Sequence, residues 1–467
     1  MSQESIHVRR LPIQLVPDPR RTITRFFWPG EERAKKIIQR VKQLPPEKIT
    51  ELLHGILEEF GPVNPGLEEI LTDHYEMVLE ETGLEYEKRR DVRLLIGAYF
   101  SKEYAFESAA LFNPSMVAAD DQSNVPEGSL AFLMSLRAVG EGHISSITFR
   151  RGIISEKGDI KISPVTLQVR AFKRERNRWF KKDVFKNGIE ELTNKHPLAE
   201  MVLSKLPDTF TLVMLEQIIH GCPQKSMDAE TFERICGLFM MIAESEYEMH
   251  SDQFLNLEDM VMFPISRTES QGMEDMRLVL FEDDDGTRCY YGTYTAYNGQ
   301  EIMPQLLEVS LPGHARVHIM RGEFAKNKGI AFFPQRIDGQ YAVIGRVDSE
   351  NIFLMKSDWE FVQMGNCGSP IRTEYGWLLL THGVGPMRKY CIGAVLLDLD
   401  DPSKVIARLK TPLMSPTDEE RSGYVPNVVY SCGALIHRDM LVIPYGISDM
   451  AAGFAIVDMQ QLMNHLA

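Results

Sequence analysis

The chain is poor in the features that mark the commonest secreted, membrane-bound and nucleic-acid-binding classes. It has six cysteines, Cys222, Cys236, Cys289, Cys367, Cys391 and Cys432, with no CxxC pair and no histidine at zinc-like spacing from them. That scatter predicts reduced, mostly buried thiols and no disulfide framework or zinc site. A basic excess is also missing: 51 Lys and Arg stand against 66 Asp and Glu, a formal charge of −15. Such a balance argues against a general nucleic-acid or anionic-membrane surface. No apolar run reaches the roughly 18 residues of a membrane span, and the opening MSQESIHVRR has no apolar signal-peptide core, so a cytoplasmic location is expected. GxSxG, HExxH and GxGxxG are absent, which removes the commonest hydrolase, zinc-protease and dinucleotide patterns. His314 and His318 lie four apart on a strand-like run with no third ligand near, and neither metal nor cofactor is expected.

What is present reads as an ordinary folded chain, 44% apolar and 25% charged over 467 residues, long enough for two or more domains. Residues 1–22 are polar and Pro-punctuated and predict an extended arm. EERAKKIIQRVKQL, PEKITELLHGILEEF, GLEEILTDHYEMVLEETG and KRRDVRLLIGAYFSKEYAFE then carry apolar residues three and four apart, with Pro or Gly at the joints. They predict about four helices, and a first domain over residues 1–107. These amphipathic faces could pack on their own chain or bridge two copies of it in a homo-oligomer. From residue 108 to 467 short alternating runs broken by turns predict an antiparallel all-β body, a propeller or a large sandwich. Helical periodicity interrupts it at about 182–250, and no strict internal repeat is present.

Polar residues collect at the ends of the expected strands. The densest place is residues 272–299, GMEDMRLVLFEDDDGTRCYYGTYTAYNG, where Glu274, Asp275 and Arg277 precede a strand, an acidic DDDG turn and a second strand bearing Tyr297. Two carboxylates and a guanidinium so close either serve one another in a surface turn or serve a ligand. FNPSM and SLRAVGEGHISSITFRRG supply Asn113, Arg137, Ser145 and Arg150, and an arginine within an apolar strand demands a carboxylate or a polar ligand. In SEYEMH, Glu248 is expected to end a helix, where a carboxylate opposes the helix dipole. Lys328 in NKGIAFFP could hold a phosphate or be a solvated basic turn. Trp377, His382, Tyr430, Tyr445 and Asp449 could line a sugar pocket, since aromatic faces stack on pyranoses while carboxylates and imidazoles bind hydroxyls. Taken singly, the aromatics fit an apolar core equally well.

In this order, FNPSM, SLRAVGEGHISS, GMEDMR, NKGIAFFP, GSPIRTEYGWLLLTHGV, GYVPNVVYSCG and PYGISD resemble glycoside hydrolase family 130, the mannoside phosphorylases and β-mannosidases. The resemblance spans about residues 105–467. It implies a five-bladed β-propeller for residues 108–467, with an N-terminal helical region and a helical insertion. It also implies an inverting enzyme whose acid is Asp275, protonating the glycosidic oxygen through a hydroxyl of bound mannose. Asn113, Arg137 and Asp449 match positions that hold the mannose on the non-reducing side of the scissile bond, with Ser145, Arg150, Arg277, Tyr297, Lys328, His382 and Tyr445 as further substrate-binding candidates. Met276 stands where the family's EDPR element has proline. The GEGHISS version and the helical N-terminus resemble the β-1,2-mannosidases, which implies hydrolysis of β-1,2-linked manno-oligosaccharides with Glu248 or Glu274 activating water. Lys328, Arg150 and His382 support the alternative, phosphorolysis with inorganic phosphate as co-substrate and mannose 1-phosphate as product. A non-catalytic propeller that binds glycans or proteins is a third expectation.

Overall fold

On either side of the DDDG turn, β-prone residues form the strands Gly272–Glu282 and Arg288–Tyr297, paired antiparallel from Gly272 with Tyr297 to Glu282 with Arg288. The Asp283 amide donates to the Thr287 carbonyl at 2.9 Å, and Gly286 takes φ 80°, a turn conformation that costs a residue without a Cβ little. The structure, a computed structural model, describes residues 6–466 except 65, 168, 172, 175–178, 223–227, 251–256, 312–313, 322–324, 326 and 347–362. The strand-like run NIFLMKS lies outside the described residues.

The chain divides into two compact units. One comprises Asp18–Ser108 with Thr166–Arg170 and holds the four expected helices, Glu31–Lys42, Pro46–Phe60, Leu67–Thr82 and Arg90–Tyr99. Pro46 opens the second helix, where its fixed φ is already helical and its missing N–H is no loss. Ala34, Ile38, Val41, Ile49, Tyr75, Val78, Leu95 and Phe100 form its core, the faces that the three- and four-residue spacing marked. Within this unit Arg21 and Glu107 make a fully buried ion pair at 2.8 Å.

The other unit, Met1–Pro17 with Ala109–Val165 and Ala171–Ala467, is mostly β-sheet. Its strands run in antiparallel meanders. Ala110–Ala118, Leu130–Val139, Ser145–Ile154 and Ile160–Ile162 follow one another, as do Gly272–Glu282, Arg288–Tyr297, Ile302–Leu311 and His314–Ile319. A single parallel step, Gly272 with Ser145, joins these two groups into one sheet. A third meander holds Gln363–Asn366, Trp377–Val384, Tyr390–Leu397 and Val405–Arg408. In the fourth, the N-terminal Val8–Leu15 pairs with the C-terminal Ala451–Asp458, which pairs with Met440–Ile447 and so reaches Val429–Tyr430. The extended arm is thus an edge strand, and Arg10 Nε binds Glu420 Oε1 at 2.8 Å beside it. Ala331–Phe332 with Val343–Ile344 adds a short ladder.

Two expectations are corrected here. Glu274, Asp275 and Arg277, expected to precede a strand, lie within Gly272–Glu282, because pairing with Arg288–Tyr297 continues past them to Gly272 around a bulge, and the strand is buried for most of its length. The helical insertion, whose helices are Lys182–Thr193, Pro197–Lys205, Leu212–His220 and Ala229–Ser245, stops before Glu248. Tyr247–His250 is a strand, paired antiparallel with His314–Ile319. There Tyr247 and Met249 point inward in turn, and Tyr247 donates its hydroxyl to the buried Glu269 at 2.8 Å, so burial in period two displaces another helical turn.

Candidate active site

Three backbone irregularities of the larger unit aim one acidic cluster. A bulge between Phe112 and Ser115 puts Asn113 at φ 48°, and one between Glu274 and Arg277 puts Asp275 at φ 54°. The tight turn between Met440–Ile447 and Ala451–Asp458 puts Ser448 at φ 49° and Asp449 at φ 52°. Left-handed non-glycine residues cost on the order of 1 kcal/mol each, and their gathering at one place is what a site held against local preference looks like. The pieces are tied by backbone: the Leu111 amide donates to the Met450 carbonyl at 3.0 Å, and a Cβ on Gly446 would lie 2.8 Å from Asn113 Oδ1.

Asp275 sits at the centre. Asn113 Nδ2 donates to its Oδ1 at 2.7 Å and Arg137 Nη1 approaches the same oxygen at 3.5 Å. Arg137 also donates from Nη2 to Glu274 Oε1 at 2.8 Å and from Nε to Ser145 Oγ at 2.9 Å, and its guanidinium lies over the Phe112 ring. Lys328 Nζ binds the other oxygen of Glu274 at 2.5 Å. Glu274 is therefore held by two cations. Burial pushes the Asp275 carboxyl up, but Arg137, Arg277, the Asn113 amide and Lys328 outweigh it and hold the group below the usual carboxylate range.

Behind Asp275 lies a buried cationic wall. Arg277, only 3% exposed, donates from Nη1 to the Asp275 carbonyl at 3.0 Å and from Nη2 to the Tyr430 hydroxyl at 2.6 Å, while its buried Nε has no hydrogen-bond partner among the described residues. Burial and then Arg277 are among the causes that depress Arg346, whose Nε donates to the Lys328 carbonyl at 3.4 Å. His382 is pushed down to about 3 by burial, then by Arg346 and Arg277, so its imidazole is neutral where the sequence suggested a positive phosphate ligand. It packs edge-on to Tyr430 with centroids 4.8 Å apart. Among the described residues the buried Asn113 Oδ1 and Asn366 Oδ1 also lack partners, and a Cβ on Gly329 would lie 3.6 Å from both Arg277 Nη2 and Asn366 Oδ1. Unsatisfied donors and acceptors around a buried guanidinium are what a polar ligand would complete.

Asp449 differs from its neighbour. Burial and then the like charge of Asp275 push its carboxyl up to about 6, against Arg137 and Arg388. A carboxyl raised on folding binds more protons in the folded chain than in the unfolded one between about pH 4 and 6, so its charge is a penalty fully present above that window and absent below it. Asp449→Asn is therefore expected to raise the unfolding free energy by roughly 1 kcal/mol at about pH 8 and to change it little at about pH 4. Urea denaturation at the two pH values checks this; equal effects at both would contradict it.

Other expected site residues contact groups outside the Asp275 cluster. Glu248 is on the sheet strand opposite Arg316, with Arg316 Nε 3.4 Å from its Oε1. Arg150 is buried and donates to Thr148 Oγ1 and the Phe149 carbonyl. Tyr297 donates its hydroxyl to the Gly299 carbonyl, and Tyr445 donates to Glu420 Oε1 at 2.6 Å beneath the N-terminal arm. Sequence reasoning did not single out Arg388, and it read Tyr430 only as one of several pocket aromatics and Arg346 only as a cation beyond the Lys328 turn. The signal for Tyr430 was its place in GYVPNVVYSCG; Arg388 follows the Gly-Pro turn of a strand-to-strand loop. Among the described residues no group of three His, Cys, Asp or Glu could hold a metal, and no helix is long and apolar enough to cross a membrane.

Fold and site together define a β-sheet protein with a carboxylate set among buried cations. A family model described as beta-1,4-mannooligosaccharide phosphorylase matches residues 350–467. A 1,2-beta-oligomannan phosphorylase of Thermoanaerobacter sp. (strain X514) is 35% identical over 232 residues, 45% of this chain and 76% of that protein. A beta-1,2-mannobiose phosphorylase of Listeria innocua is 27% identical over 263 residues, 51% of this chain and 71% of that protein. The solved beta-1,2-mannobiose complex of a Listeria innocua beta-1,2-mannobiose phosphorylase aligns over 77% of this chain and 92% of its own, at 18% identity and a TM-score of 0.42. The chain belongs to glycoside hydrolase family 130.

Proposed function

We propose that the chain is an inverting β-mannoside phosphorylase that cleaves β-1,2-linked manno-oligosaccharides with inorganic phosphate, releasing α-mannose 1-phosphate. The observation that carries this is Arg277, a buried guanidinium with an unpartnered Nε beside Arg346, Lys328 and Asp275. Fixed positive charge in a water-poor wall suits a phosphate anion, because charge-assisted hydrogen bonds are strongest there. The names of the relatives support the same choice over hydrolysis. So does the state of the two carboxylates expected to activate water: Glu274 is clamped by Arg137 and Lys328, and Glu248 faces Arg316.

In this mechanism Asn113, Arg137 and Asp449 grip the mannose whose C1 reacts. A phosphate oxygen bonds to C1 from the face opposite the leaving group as the glycosidic C1–O bond breaks. The departing oxygen takes a proton from Asp275 through a mannose hydroxyl, and monobasic phosphate or water returns that proton to Asp275. An acid must first be protonated, and here the co-substrate helps: a phosphate anion on Arg277, Arg346 and Lys328 offsets the charge that keeps Asp275 ionised, so its pKa rises on binding. The architecture proposed for residues 108–467 is the family's five-bladed propeller. Four meanders plus the ladder Ala331–Phe332 with Val343–Ile344 support it, as does the completion of the last sheet by Val8–Leu15.

Incubating the protein with β-1,2-mannobiose tests the reaction. With phosphate, mannose and α-mannose 1-phosphate are expected in equal amounts; without phosphate, no release. Mannose appearing at the same rate in phosphate-free buffer would overturn the proposal in favour of hydrolysis.

A further inference from the structure

We propose that His143 and Tyr424 form a stacking platform for the acceptor sugar, the pyranose that leaves in phosphorolysis and attacks in synthesis. This rests on the phosphorylase reading above. The two rings face each other at a centroid distance of 6.1 Å and an angle of 31°. Both are exposed, Tyr424 to 75%, although each is large enough that burial would stabilise it.

Each ring is tied by short backbone to a group that holds the reacting sugar. His143 ends a turn in which its amide donates to the Gly140 carbonyl at 3.1 Å, with Gly142 at φ 72° and His143 itself at φ 59°. Two residues later Ser145 Oγ accepts from Arg137. On the other side the Val425 amide donates to the Ser448 carbonyl at 3.0 Å, and Ser448 immediately precedes Asp449. A Cβ on Gly423 would lie 2.5 Å from the Ser448 carbonyl oxygen, so only glycine lets the Tyr424 loop come this near. The platform therefore stands at the rim of the carboxylate cluster, next to Arg137 and Asp449. A third rim segment carries Met387, 88% exposed at φ 57°, and Arg388 at φ 53°, whose charge reaches Asp449.

A solvent-facing pair of rings beside a sugar site, one of them on a left-handed residue, has one ready occupant. The carbon-bound hydrogens on one face of a pyranose are apolar and pack on aromatic rings, while the cluster below holds hydroxyls. The rings are exposed while the Asp275 cluster assigned to the reacting mannose is buried, so we assign them to the acceptor.

Synthesis separates the two. With mannose 1-phosphate as donor and mannose or β-1,2-mannobiose as acceptor, Tyr424→Ala is expected to raise the acceptor KM about tenfold and leave the donor KM near the wild-type value. His143→Ala moves the acceptor KM in the same direction, and Tyr424→Phe, which keeps the ring, behaves as wild type. An acceptor KM within about twofold of wild type in Tyr424→Ala, or equal rises in both KM values, overturns the inference. A wild-type chain that neither synthesises nor phosphorolyses overturns the phosphorylase reading and this platform with it.

Discussion

Asp275→Asn is expected to lower phosphorolysis of β-1,2-mannobiose by on the order of a thousandfold or more while leaving the fold intact. The substitution keeps the shape of the side chain and an oxygen for Asn113 Nδ2, which donates to Asp275 at 2.7 Å. It removes the carboxyl assigned to give the proton at that point. The loss should fall on kcat, because Asn113, Arg137 and Asp449 still hold the sugar; circular dichroism should stay close to wild type, while Tm falls because Arg137, Arg277 and Lys328 lose the carboxylate they stabilise. A variant that retains activity within about tenfold of wild type would show that the proton comes from elsewhere. A chain that only binds glycans would be indifferent to the change, so the same variant separates catalysis from recognition.

Arg277→Met is expected to lower kcat/KM for phosphate by on the order of a hundredfold, with a much smaller effect on the KM for mannobiose. Methionine fills part of the volume of the buried guanidinium but removes its charge, its hydrogen bond to Tyr430 and the donor that has no partner among the described residues. Asp275 loses an attractive cation, so its pKa rises and the limb of the pH–rate profile that it governs shifts upward in pH. Initial rates at varied phosphate and fixed mannobiose decide the matter. An unchanged phosphate KM would move the anion site away from this wall.

How much of this was legible in the sequence varies with the residue. Asn113, Arg137, Glu274, Asp275 and Lys328, which the structure draws into one hydrogen-bonded cluster, lie in short motifs whose order along the chain was informative. Their geometry was not legible, because it depends on two strand bulges, and a bulge leaves no periodic trace in the residue pattern. Glu248 was placed on a helix end because SEYEMH follows a strongly helical run; what decided otherwise was Tyr247 and Met249 finding a strand to pair with far along the chain. Tyr445 read as a pocket aromatic, yet its hydroxyl meets Glu420, a partner set by the fold of a distant loop. His382 read as a cation until burial among arginines settled its charge. Long-range partners of this kind follow from tertiary packing, which local propensity does not encode.

The antiparallel ladder between Val8–Leu15 and Ala451–Asp458 joins segments made at opposite times during translation. The first of them emerges from the ribosome early and must wait, unpaired, until residues past 450 have followed it out. Completion of that sheet therefore follows the folding of everything between its two outer segments, and with it comes the anchoring of the turn that presents Asp449.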